Sequence, residues 1–221
     1  MEGSLLTRAL SRLTAVVVML VAMSVMTATG QALAAGFGAN WQMNEKSGPM
    51  VDSSGRGNDG TVKGGVTRTG SGYRFDGRTG YVTVPNSASL NPGSAGATIE
   101  VKFSLDSAPP TGYDYDIVRK GLAGTRGGDY KMEVLASGAA LCRFMGSTAA
   151  AEVRGGANLG VGTHVVRCVK TNSSVELWVD GNRKATKPVV VGSISNTQPV
   201  ILAAKPGDDY TKGLIDYIKI L

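Results

Sequence analysis

Residues that carry chemistry are scarce in this 221-residue chain: it has one histidine, two cysteines, and aromatics at only 6%. With so few, His164, Cys142 and Cys168 cannot assemble a Cys/His zinc site. No Gly-x-Ser-x-Gly elbow, phosphate-binding loop or dinucleotide fingerprint occurs. Helical periodicity is missing after residue 35. Charge of one sign does not cluster: the net charge is +6, but the basic residues are scattered, which argues against a nucleic-acid surface. The one long apolar run is Leu13–Met26, too short for a comfortable membrane span.

That run follows Arg8 and Arg12 and precedes Ala32-Leu33-Ala34, the pattern of a secretory signal peptide. Cleavage is expected near Ala34, with residues 1–34 as signal and 35–221 as one domain of about 187 residues. No lipidated cysteine, twin arginine or anchoring tail is apparent, so a released, extracellular and monomeric protein is expected. In an oxidising compartment Cys142 and Cys168 most simply form one disulfide, worth about 3–4 kcal/mol in the chain-entropy picture; two free thiols are the alternative.

What the chain has in abundance is glycine, 31 residues, punctuating short alternating runs. That spacing predicts an all-β sandwich or barrel. Thr98–Leu105 is the clearest strand, with Ile99, Val101, Phe103 and Leu105 on one face. Further strands are predicted over Asn40–Met43, Tyr73–Phe75, Tyr81–Val84, Ile117–Arg119, Tyr130–Leu135, Ala140–Phe144, His164–Lys170, Ser174–Val179, Pro188–Val191, Val200–Ala203 and Leu214–Leu221. Asp180-Gly181 predicts a tight hairpin turn.

Two stretches suggest a cation. Met50–Val62 (MVDSSGRGNDGTV) is an oxygen-rich turn segment, with Asp52, Ser53, Ser54, Asn58, Asp59 and glycine carbonyls as hard donors suited to Ca²⁺; a well-made turn without an ion fits it too. In Gly213–Leu221, alternation places Asp216 on one face with Leu214, Ile218 and Ile220. A carboxylate there needs a partner, either Lys212 or Lys219, or a cation shared with the Asp52 loop.

WQMNEKSGPMVDSSGRGNDGTV, YRFDGRTGYVTVPNSASLNPG, GGDYKMEV, ALCRF, VGTHVVRCVKTNSSVELWVDG and GLIDYIKIL together resemble, in order over roughly residues 40–221, laminin-G-like, concanavalin-A-like domains of secreted bacterial proteins. The resemblance implies a two-sheet antiparallel jelly roll with a structural Ca²⁺. It implies Asp52, Asn58, Gly60 and Asp216 as the metal set, and Cys142 and Cys168 as a pair joining neighbouring strands. One departure is Thr163, where the family often has Trp; His164 beside it reads as structural.

Glucanases of this fold carry Glu-x-Asp-x-x-Glu on a strand, yet none of Glu45, Glu100, Glu133, Glu152 or Glu176 has Asp two positions on. No catalytic residue is therefore assigned. Binding remains, as a fold-level analogy. The candidate ligand contacts are Tyr113 and Tyr115, with Asp114 and Asp116, in GYDYD; Asp208, Asp209 and Tyr210 in GDDY; and Trp178, which alternates away from Val175, Leu177 and Val179, while Trp41 reads as core. The expected function is a secreted non-catalytic module for carbohydrate or glycoconjugate. A protein-binding adhesive domain is the alternative, and an enzyme with an unusual site the third.

Overall fold

The computed structural model describes residues 36–156, 158–160 and 162–221; the signal segment expected over 1–34 lies outside them. Fifteen strands follow in chain order. They are β1 (Ala39–Trp41), β2 (Thr61–Lys63), β3 (Val66–Arg68), β4 (Tyr73–Asp76), β5 (Tyr81–Val84), β6 (Ala97–Leu105), β7 (Asp114–Lys120) and β8 (Asp129–Leu135). After these come β9 (Ala140–Met145), β10 (Ala150–Gly155), β11 (Thr163–Lys170), β12 (Ser174–Val179), β13 (Asn182–Pro188), β14 (Val200–Leu202) and β15 (Lys212–Ile220).

They form two antiparallel sheets. One runs β13-β12-β11-β6-β15-β4-β3 with β1 also on β15; the other runs β10-β9-β8-β7-β14-β5-β2. The inner faces bury one continuous apolar core, from Trp41 and Tyr73 to Phe103, Phe144 and Ile215. Alternation on β6 buries Ile99, Val101, Phe103 and Leu105, as the period of two requires. This is the two-sheet jelly-roll sandwich expected from the sequence.

Four strands were not legible. β2, β3 and β13 are short or polar edge strands, and β10 (AAEVRG) carries little apolar signal. Conversely, Val189–Val191 does not continue as strand, because the pairing of β13 with β12 ends at Pro188. The β12–β13 turn is as predicted: Asp180 and Gly181 take φ of 49° and 76°, and Asp180 clamps it by accepting from the Val165 amide. His164 Nδ1 lies 2.8 Å from the second Asp180 oxygen, a hairpin role rather than a binding one.

Cys142 and Cys168 form a disulfide with Cα atoms 5.4 Å apart. It does not join neighbouring strands. Cys142 is on β9 and Cys168 on β11, so the bond crosses the core and ties one sheet to the other.

Candidate functional site

The two loops that the sequence marked separately meet in space. A cavity of about 500 Å³ is lined by Tyr113, Asp114 and Tyr115 from one side and Asp208, Asp209 and Tyr210 from the other. The backbone ties them: the Asp116 amide donates to the Asp209 carbonyl at 3.1 Å, and the Asp114 amide to Asp209 Oδ1 at 3.4 Å. Asp209 holds a positive φ of 49°, a conformation that Asp tolerates better than most residues, and this turns the GDDY loop back over β7. Lys205 Nζ donates to Asp208 and Asp209 at 3.2 and 3.3 Å, which offsets their mutual repulsion.

The aromatic residues differ in role. Tyr113 is 55% exposed and presents its ring to solvent at the rim. Tyr210 is half-buried; its hydroxyl accepts from the Gly207 amide at 2.9 Å, and its ring lies 6.4 Å from Tyr81. Tyr115 is not a stacking platform. Alternation on β7 turns its ring into the core, leaving the hydroxyl 3.3 Å from Ser107 Oγ at the cavity wall. Burial, then the Asp209 charge, pushes the Asp114 carboxyl above its usual range.

Arg78, Ser107 and Lys212 add polar groups to the lining, and sequence reasoning missed them. Arg78 comes from the turn after β4, where Asp76 accepts from the amides of Arg78, Thr79 and Gly80, each at 2.9 Å. Gly77 within that turn has φ of 73°, and a Cβ there would come within 2.8 Å of Lys212, so the rim requires glycine. A DGRTG stretch behind a strand is a signal for this turn, but not for what the turn faces.

Trp178 lies elsewhere. It is on the outer face of the other sheet, its indole donating to Glu176 at 2.8 Å and its ring flanked by Arg167 and Arg183 at 5.5 and 5.7 Å. Asp116 is no loop residue either; β7 begins at Asp114, and Asp116 is fully buried beside Arg119.

The expected metal set does not fit a cation. Asp52 Oδ1 accepts from the Asn40 and Ser54 amides and Oδ2 from the Asn58 amide, at 2.9–3.0 Å. Burial pushes this carboxyl up, but those amides outweigh it and hold it below the usual range. The Asn58 side chain donates to the Gly38 carbonyl and Ser89, and the Asn58 backbone carbonyl accepts from Trp41 Nε1 at 2.7 Å. Gly60 exchanges both backbone bonds with Met50. Asp216 leaves the apolar face altogether. The register slips between Ile215 and Tyr217, so Ile215, Ile218 and Ile220 are buried, and Asp216 reaches Lys102 at 3.6 Å. Among the described residues no group of three His, Cys, Asp or Glu is placed to hold a metal.

Residues 76–221 match a family described as the concanavalin A-like lectin/glucanases superfamily. No curated protein sequence matches the chain. Among solved structures, the binding domain of Paraclostridial Mosquitocidal Protein 1 is 15% identical with a TM-score of 0.65, over 82% of this chain and 48% of that one. The botulinum neurotoxin DC binding domain, solved with SialylT, is 12% identical with a TM-score of 0.65, over 83% and 47%. Domain 4 of AbnA, a GH43 extracellular arabinanase from Geobacillus stearothermophilus, was solved with arabinotriose; it is 15% identical with a TM-score of 0.60, over 82% and 90%. The chain thus spans about half the length of the toxin domains it resembles. At these identities the likeness is one of fold.

Proposed function

Because this chain belongs to the concanavalin A-like lectin/glucanase superfamily, we propose that it is a secreted, non-catalytic module that binds carbohydrate or glycoconjugate in the cavity between Tyr113 and Tyr210. The observation that carries this reading is the convergence of two sequence-distant loops. They place an exposed aromatic ring beside carboxylates, and Ser107, Arg78 and Lys212 add a hydroxyl and two basic side chains to the same concave site. Rings stack on the apolar faces of sugars, and the flanking polar groups fix orientation, which is the general make-up of a ligand pocket. Domain 4 of AbnA, with its arabinotriose, supports sugar as the ligand class.

A non-catalytic role is supported by how two of the three acids lining the cavity are held. Asp208 and Asp209 are both tied to Lys205, and Asp209 also accepts from the Asp114 amide, so neither stands free as a general acid or base.

The test is calorimetric titration of neutral and acidic oligosaccharides into wild type and Tyr113→Ala. Tyr113 is a rim residue, so its loss is expected to weaken binding by about tenfold, ~1.4 kcal/mol, without shifting the melting temperature. Sugar binding that ignores Tyr113 would move the site elsewhere. Failure to bind any glycan, with capture of an extracellular protein, would favour the adhesive alternative.

A further inference from the structure

The Tyr113–Tyr210 cavity does not end at its own wall. Through Asp114 and Asp209 it adjoins a second depression of about 370 Å³ on the outer face of the β10–β2 sheet. Through Arg119 and Lys205 that one adjoins a third, of about 140 Å³, at Pro199 and Pro206.

The floor of the second depression is a single register row. Glu152, Arg143, Lys131 and Arg119 are successive partners on β10, β9, β8 and β7. At ~4.8 Å between strands, the row is about 14 Å long and runs across the strands.

Three cations directly opposite one another on adjacent strands repel, so a sheet does not carry them without compensation. Here carboxylates thread between them. Arg143 donates to Asp129 at 2.9 Å and Glu152 at 3.1 Å; Lys131 pairs with Glu133; Arg119 donates to Glu133 at 3.3 Å and Asp116 at 2.6 Å. The register slip at Ile117 puts Asp116 and Arg119 on the same face despite their three-residue spacing. The Arg119 side chain is only 8% exposed and its Nε–H has no partner among the described residues; nor has Asp116 Oδ1. For stability alone, apolar or neutral residues would serve this face better, because burying ion pairs is at best near break-even.

We propose that this row extends the sugar site and selects an extended, uncharged polyhydroxylated chain. The proposal rests on the carbohydrate reading of the first cavity. Four cations and five carboxylates line the depression, so it lacks the excess positive charge of the chain as a whole, which is +6. A sugar hydroxyl both donates and accepts, so adjacent hydroxyls can bridge a guanidinium and a neighbouring carboxylate without breaking their pairing. The pairing itself holds the side chains in place before the ligand arrives. A uronate or sialate carboxylate would instead have to displace Asp129 or Glu133 from its arginine and sit against their charge, which disfavours it.

The test titrates a disaccharide, a tetrasaccharide and a hexasaccharide from neutral arabinan, xylan and glucan series, and matching oligogalacturonates, into the whole chain. Expected for a neutral series is affinity that rises with length, about tenfold beyond the disaccharide, and that persists at high salt. Arg143→Gln is expected to remove that increment and leave disaccharide binding intact. Glu152→Gln, at a more exposed position, serves if Arg143→Gln fails to fold. Disaccharide binding that needs Tyr113 but gains nothing with length would overturn this inference and leave the cavity reading standing. So would a preference for galacturonate that falls with salt. Binding of no glycan at any length would overturn both.

Discussion

The Met50–Val62 loop and the Tyr113–Tyr210 cavity are alike in composition and opposite in use. Both gather aspartates and glycines into turns. In the first, the central donors expected for a metal are taken by the chain itself: Asp52 by three amides, the Asn58 backbone carbonyl by Trp41, Gly60 by Met50. In the second, the backbone is equally well bonded, but Tyr113, Arg78 and Lys212 point into open space. Polar composition therefore says little about binding. What separates these two loops is that the second leaves side chains facing an open cavity, whereas the first turns its polar groups inward on itself.

Several measurements would break or sharpen this contrast. The largest effect is expected from Asp52→Ala. Three amides lose their acceptor at a buried turn joining the β1 end of the sandwich, so stability should fall by about 2–4 kcal/mol in urea unfolding. Sugar binding by the folded fraction should be unchanged. A loss of binding at constant stability would place the ligand in the wrong loop.

A smaller effect concerns acid. Asp52 and Asp76 both sit below their ordinary carboxyl value of 3.8, Asp76 at about 2. For Asp76 burial acts upward, and the amides of Thr79, Arg78 and Gly80 outweigh it. A group whose folded value is depressed contributes stability that is complete above the unfolded value and disappears as pH falls through the folded one. The melting temperature is thus expected to drop between about pH 4 and pH 2, with a shallower drop in Asp76→Asn. An unchanged slope in that variant would mean the cavity-rim turn is not held by its carboxylate.

The smallest expected effect is none: calcium and EDTA should give the same melting temperature, because Asp52 and the Asn58 and Gly60 carbonyls are already hydrogen-bonded by the chain, and Asp216 pairs with Lys102 instead of joining them. A calcium-dependent rise would show that the Asp52 loop rearranges around a metal and is a site as much as the cavity is.

Much of this was legible in the sequence. The alternation of TIEVKFSL named the face that β6 buries, and Asp180-Gly181 named its turn. GYDYD and GDDY were picked out as ligand loops, and they are the two that meet. Two misreadings have separate causes: period-two alternation does not carry through the irregular strand at Asp216, and β7 starts at Asp114 rather than at Ile117. The slip at Ile215–Tyr217 moved Asp216 off the apolar face, and β7, starting earlier than its apolar residues suggested, turned Tyr115 inward and buried Asp116. A bulge inserts one residue without any composition of its own, so a period-two count cannot detect it.

The sequence by itself determined what local rules control: strands by periodicity, turns by glycine and aspartate, an inward set of apolar residues large enough for a two-sheet core, and one pair of cysteines able to bond. Only the tertiary structure decided which groups meet. It joined residues 113–115 to 208–210, aligned Glu152, Arg143, Lys131 and Arg119 into one row, and sent the Cys142–Cys168 bond across the core. The reason is physical: periodicity fixes the direction of a side chain relative to its own strand, whereas register and sheet order, set by long-range pairing, fix its neighbours.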